Sequence, residues 1–142
     1  MSISISSGFD SGNIRVLSIT DTPDGVRAEL EIVKDHQSDF YQWFHFRVAG
    51  AAGREVELAI VNGGASAYPD GWPDYKARVS EDRENWLLAD TDYADGTLTI
   101  RLSPDSNAVW VAYFAPYSME RHHDLIAWAA CQPGVVHREL GL

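Results

Sequence analysis

Apolar and polar residues alternate with a period of two over much of the chain. Val26-Arg27-Ala28-Glu29-Leu30-Glu31-Ile32 alternates without error, as a half-buried strand with one wet face does. Glu55-Val56-Glu57-Leu58-Ala59-Ile60 repeats the pattern with Val56, Leu58 and Ile60 turned inward, and Thr97-Leu98-Thr99-Ile100-Arg101-Leu102 does the same. Over Tyr41–Val48, Phe44, Phe46 and Val48 share one face, while Tyr41, Trp43, His45 and Arg47 share the other. That second face is aromatic and part-polar, so it is expected to be partly covered. Asn107–Ala115 is apolar almost throughout and reads as a central strand packed on both faces.

Turn chemistry separates these runs. Thr22-Pro23-Asp24-Gly25 joins the strand near Ile14–Thr20 to the one starting at Val26, and Ala94-Asp95-Gly96 opens the Thr97 strand. Asp-Gly between alternating segments is a strong hairpin signal. Ala49-Gly50-Ala51-Ala52-Gly53 joins the next pair, and Ser103-Pro104-Asp105-Ser106-Asn107 separates the last two strands. Strands at this spacing predict an all-β antiparallel sandwich or barrel of about eight strands. Asn62–Tyr75 holds Gly63, Gly64, Pro69, Gly71 and Pro73 and reads as a long ordered loop. Ser118 is placed to cap one short C-terminal helix running to about Ala130, with Leu125, Ile126 and Ala129 as its apolar stripe and Pro133-Gly134 as its stop.

Length and composition fit one globular domain: 142 residues, 45% hydrophobic and 23% charged. The net charge of −10 repels phosphate backbones and argues against a nucleic-acid partner. Cys131 is the single cysteine, so no internal disulfide forms. No apolar stretch reaches membrane-span length, and the N-terminus lacks the charge and apolar run of a signal peptide. A soluble cytoplasmic protein with no membrane partner is the expectation.

Candidate chemistry is sparse. His122-His123-Asp124 is the one local histidine cluster, but adjacent helical residues point about 100° apart and cannot share an ion. His45 alternates with aromatics and reads as a packed or surface histidine. Cys131 near His137 allows a thiol–imidazole pair, against which stands a small buried thiol. There is no Gly-x-Ser-x-Gly and no phosphate-cradling glycine loop, and the aspartates are spread over turns. Trp43 and Trp110 read as core. Trp72, with Tyr68 and Tyr75, lies in the long loop and docks either onto the sandwich or onto another surface.

Several stretches, in order, resemble one family. Phe9-Asp10-Ser11-Gly12-Asn13-Ile14, Gln42-Trp43-Phe44-His45-Phe46-Arg47-Val48, Leu58-Ala59-Ile60-Val61-Asn62, Tyr68-Pro69-Asp70-Gly71-Trp72-Pro73, Asn85-Trp86 and Ala112-Tyr113-Phe114-Ala115-Pro116-Tyr117-Ser118 are similar to the N-terminal β-sandwich domain of cytosolic zinc carboxypeptidases. Trp72 stands where that family often has methionine. The resemblance implies a sandwich over residues 1–134 and a linker over 135–142 leading toward a C-terminal carboxypeptidase domain of the same polypeptide. That domain would hold the zinc and hydrolyse C-terminal peptide bonds. This chain has no His-x-x-Glu, so the resemblance implies no catalytic residue, cofactor or metal ligand here. It places Tyr68, Trp72, Tyr75, Pro116 and Tyr117 near an interdomain or ligand-contacting face. Asn13 either satisfies backbone groups at that face or serves a local turn, the turn being preferred. The alternatives are a free-standing module for carbohydrate or basic peptide, and an interaction domain without a small ligand.

Overall fold

The computed structural model describes residues 2–141. Met1, in the expected sandwich, and Leu142, the last residue of the expected linker, lie outside the described residues. The strands are β1 (Ser4–Ser6), β2 (Arg15–Thr22), β3 (Gly25–Glu31), β4 (His45–Ala49), β5 (Val56–Ile60), β6 (Arg78–Ser80), β7 (Leu87–Leu88), β8 (Asp90–Ala94), β9 (Thr97–Leu102) and β10 (Ala108–Ala112), followed by helix α1 (Met119–Ala130). They form two five-stranded sheets, β1-β4-β10-β6-β7 and β2-β3-β5-β9-β8. Every pairing is antiparallel except β3 with β5, which is parallel. The chain leaves the second sheet after β3, lays β4 in the first, and returns beside β3 in the same direction.

The alternating segments register as their patterns require. Val56 stands between Val26 and Leu102, Leu58 between Ala28 and Ile100, and Ile60 between Leu30 and Leu98. Facing these three rows are Phe46 and Val48 of β4 and Val109 and Val111 of β10, all buried. Because side chains alternate faces, each one-residue register slip would turn these rows into water. The hairpin turns are as read: Pro23-Asp24 links Thr22 to Gly25, and Asp95-Gly96 links Ala94 to Thr97. Both Asp95 (φ 51°) and Gly96 (φ 78°) occupy the left-handed region that such a tight turn demands.

Several expectations change. Among the described residues there are ten strands where about eight are expected, because β1, β6 and β7 are two or three residues long and carry too little pattern to read. Ala49–Gly53 joins strands of different sheets: it arches from β4 to β5 with Gly50 N donating to Asn107 O and Gly53 N to Pro104 O. The ladder of β4 starts at His45 rather than Tyr41: before it, Trp43 O accepts from the Asn13 side chain and Tyr41 O from Ala67 N. β10 is central, but only one of its faces is in the core, and Trp110 lies half-buried on the other.

Candidate functional site

The two outer faces of the sandwich differ in kind. The face of the β2–β8 sheet is charged: Arg15 pairs with Glu31, Arg27 with Glu57, and Arg101 with Asp92 at 2.6 Å. Such exposed pairs add little stability and mark a solvated surface. The face of the β4–β10 sheet is aromatic. Trp43 packs edge-on against Phe114 at 4.8 Å, and its indole N–H donates to Ser11 O at 2.7 Å. The Arg83 guanidinium lies 4.9 Å from the Trp110 ring centre. Phe114 remains 54% exposed. Trp43 and Trp110 thus belong to this outer face and not to the core, because strand parity sends them opposite Phe44, Val109 and Val111.

His45 sits beneath this aromatic layer. It points outward on β4, paired in register with Ala112, yet is only 5% exposed. Phe9 meets its ring edge-on at 4.9 Å, with Trp86 at 6.0 Å and Trp43 at 6.1 Å. Its Nδ1 lies 2.9 Å from Ser11 Oγ, and Nε2 has no partner. Burial lowers the imidazole from 6.5 to about 4; the Asp10 carboxylate opposes this shift and the Arg83 charge adds to it. His45 is therefore neutral at physiological pH. Its ring meets Phe9, Trp43, Trp86 and the Ser11 hydroxyl, not a set of thiolates, imidazoles and carboxylates such as zinc requires. Among the described residues, no three of His, Cys, Asp and Glu converge to hold a metal ion.

An open cleft of about 610 Å³ runs from this layer to α1. Its walls include Arg47, Arg83, Trp86 and Trp110 on the sandwich and Ser118, Glu120, Arg121 and Asp124 on the helix. Ser118 caps α1 as its position predicts, accepting from Arg121 N at 3.1 Å, and Asp10 Oδ2 accepts from Met119 N at 2.9 Å. A carboxylate at the helix start meets the positive end of its dipole.

The five residues singled out in the sequence separate. Trp72 is 1% exposed, its indole N–H donating to Gly63 O and Ser66 Oγ, both at 2.9 Å. It stacks with Phe44 and takes the sandwich-docking alternative. Tyr75 is half-buried, packed on Tyr113 and donating to its carbonyl. Tyr68 (59% exposed) and Tyr117 (55%) stay at the surface, with Pro116 half-buried on the cleft wall. Tyr68 is separated from the other two in sequence and is held through its backbone by Gln42, whose side chain makes both bonds.

Other expectations are corrected here. Asn13 serves no local turn: its amide donates to Val33 O at 3.0 Å and Trp43 O at 2.9 Å, tying together two distant segments. Cys131 is exposed, because α1 buries none of its residues. His122 and His123 are exposed with ring centres 6.2 Å apart. The burial of His45 and the position of Arg83 over Trp110 had no sequence signal beyond the expected partial cover of the β4 outer face.

The sequence profile of the cytosolic carboxypeptidase N-terminal domain matches residues 5–114. The chain belongs to that family. An uncharacterized protein of Zymomonas mobilis is 57% identical over 141 residues, which are 99% of this chain and 36% of that protein. A metallo-carboxypeptidase of Burkholderia cenocepacia has the same fold with a TM-score of 0.90 at 39% identity, over 99% of this chain and 36% of its own. A metallo-carboxypeptidase of Pseudomonas aeruginosa, solved in complex with (2-guanidinoethylmercapto)succinic acid, gives 0.82 at 41% identity over 92% and 34%. This carboxypeptidase N-terminal domain thus spans about a third of the length of each of these relatives. Among its described residues, no helix is long and apolar enough to cross a membrane.

Proposed function

We propose that this domain is the non-catalytic front piece of a zinc-dependent metallocarboxypeptidase, a cytoplasmic hydrolase of C-terminal peptide bonds. Its role is to buttress the catalytic domain and shape substrate access. The contrast between the two outer faces carries this reading. The charged face is suited to water, whereas Trp43, Trp86, Trp110 and Phe114 build an aromatic layer of the kind found at buried interfaces. The C-terminal domain of the same polypeptide is the partner such a layer fits, since the metallo-carboxypeptidase relatives are almost three times as long as the chain. Pro116 and Tyr117, where the chain leaves the sandwich, belong to that interface, with Tyr68 at its margin. Among the described residues no three of His, Cys, Asp and Glu converge on one point, and the zinc and the water it activates are assigned to the partner domain.

The experiment compares the 142-residue chain with the polypeptide extended through the C-terminal domain. Peptides with blocked and free C-termini are supplied with zinc, and released amino acids are measured. The extended protein is expected to release C-terminal residues in a chelator-sensitive manner, and the chain alone to release none. Turnover by the chain alone, or an inert extended protein, would sink the reading. The carbohydrate-module alternative loses its main aromatic, because Trp72 is enclosed in the core.

A further inference from the structure

The core comes close to water along the edge where β7 and β8 end the two sheets. β7 is the last strand of one sheet and β8 the last of the other, and the chain passes between them through Ala89. β7 consists of Leu87 and Leu88, which are 68% and 65% exposed. Two adjacent leucines in water are unusual at a sheet edge, where charge or proline commonly stands. Behind them opens a groove of about 430 Å³. Its floor is Val79, Ala89, Leu102 and Val109, which belong to the core or pack against it.

The rim is acidic. It carries Glu81, Asp82, Asp90 and Asp105, and the one cation among the lining residues is Arg101. That guanidinium is already engaged, 2.6 Å from Asp92 outside the groove and 3.7 Å from both Asp90 and Glu57. Two of the carboxylates are fixed by the backbone. Glu81 Oε1 accepts from Asp105 N at 2.9 Å and Ser106 N at 2.8 Å, and Asp82 Oδ1 accepts from Asn85 N at 2.7 Å and Glu84 N at 2.8 Å. The bonds from Asn85 and then Glu84 hold Asp82 well below the usual carboxylate range. Fixed negative charge thus surrounds an apolar floor.

This composition selects its occupant. Apolar side chains suit the floor, and positive charge answers the rim. A second copy of this chain suits it poorly, because a two-fold contact sets one patch against itself, acid on acid, between molecules of net charge −10. The chain leaves the sandwich past Pro116 on the other cleft, so the accessory-domain reading leaves this edge open. We propose that the groove is a docking site for an extended segment of another protein in which basic and apolar residues alternate. An extended segment laid along β7 presents alternate side chains to one side. Its apolar side chains meet Leu87, Leu88 and Val79, and its lysines or arginines reach Glu81, Asp90 and Asp105.

The probe is a short dye-labelled peptide alternating lysine and leucine, blocked at both ends, and fluorescence anisotropy reports its binding. The 142-residue chain and the polypeptide extended through the C-terminal domain are both expected to bind it. Matching glutamate–leucine and lysine–serine peptides should bind about tenfold more weakly or worse. The double change Leu87→Ser, Leu88→Ser falls at exposed positions, so it should leave the melting temperature unmoved and weaken binding about tenfold. Asp90→Asn with Asp105→Asn should weaken binding about threefold and flatten its dependence on salt. Glu120→Gln with Asp124→Asn removes as much charge from the other cleft and should leave binding unchanged. Absence of binding overturns the proposal. So does binding that ignores the leucine change, or that falls equally with the Glu120 and Asp124 change, since it reports net charge alone. Binding by the short chain and not by the extended one makes the C-terminal domain the occupant and overturns it. A dimer in sedimentation that Leu87→Ser, Leu88→Ser dissolves overturns it in favour of a second copy. An extended polypeptide that binds the peptide but releases no amino acids fails the proposed function and supports this site.

Discussion

Ser11 Oγ lies 2.9 Å from His45 Nδ1, a bond made across 34 residues of sequence by a serine whose own backbone is in the left-handed region at φ 63°. The bond fixes one ring nitrogen while the other is sealed under Phe9, Trp43 and Trp86. The fold accepts the neutral imidazole and resists the charged one, whose hydration it would lose.

Acid sensitivity follows from that preference. The imidazole titrates at about 4 in the fold against an ordinary 6.5. The unfolded chain therefore takes up a proton between these values that the folded chain refuses. His45 contributes its full stability above pH 6.5 and loses it as pH falls toward 4, by at most about 3 kcal/mol. Urea midpoints from pH 7 to pH 4 should fall in the wild type and flatten in His45→Phe. Asp82, held low by the backbone N–H and side chain of Asn85, and Asp92, held low by Arg101, lose their contributions only below about the ordinary carboxyl value of 3.8. Equal slopes in wild type and variant across the upper window would remove His45 as the cause.

Trp72 is a core residue in a loop. Trp72→Ala should cost about 3–5 kcal/mol in chemical denaturation, since it leaves a large cavity and strips Gly63 O and Ser66 Oγ of a donor. Tyr68→Ala, a few residues away and 59% exposed, should stay within about 0.5 kcal/mol of wild type. Similar losses for both would contradict the buried position of the indole.

Gly12 is required by close approach. A Cβ built there would sit 2.0 Å from the Ser7 carbonyl oxygen, so Gly12→Ala must displace backbone. A loss on the order of 1–3 kcal/mol is expected from such overpacking, whereas Gly8→Ala, with open space around it, serves as the neutral comparison. Melting temperatures of the two variants decide the point; a silent Gly12→Ala would mean the turn is looser than described.

Two asparagines act as internal struts. Asn13 donates to Val33 O and Trp43 O, and Asn62 both donates to Ile32 O and accepts from Ile32 N, each at 2.9 Å. Asn13→Ala and Asn62→Ala should each cost about 1–3 kcal/mol, because partly buried backbone groups are left without partners. Asn62→Asp is the sharper probe: it keeps the acceptor for Ile32 N and loses the donor to Ile32 O. An aspartate variant as stable as wild type would refute the two-way bond.

Period-two patterning by itself determined the strands that build the core, because which face of a strand is buried is written in every second residue. Val26 to Leu30, Val56 to Ile60 and Leu98 to Leu102 were legible on that ground, and so were the Pro23-Asp24 and Asp95-Gly96 turns and the Ser118 cap. Their order with the Phe9–Ile14 and Ala112–Ser118 motifs carried the family. Tertiary structure alone decided what lies on the far side of each strand. Alternation says that Trp43, His45 and Trp110 point away from the core; only the meeting of Phe9, Ser11, Trp86 and Arg83 from distant segments decides that His45 is buried and Trp110 half-covered. The same holds for Trp72, enclosed because its loop folds back on Gly63 and Ser66, and for α1, whose apolar stripe is plain in the sequence yet finds no surface within these residues. Burial is a relation between segments, and a local pattern fixes only one side of it.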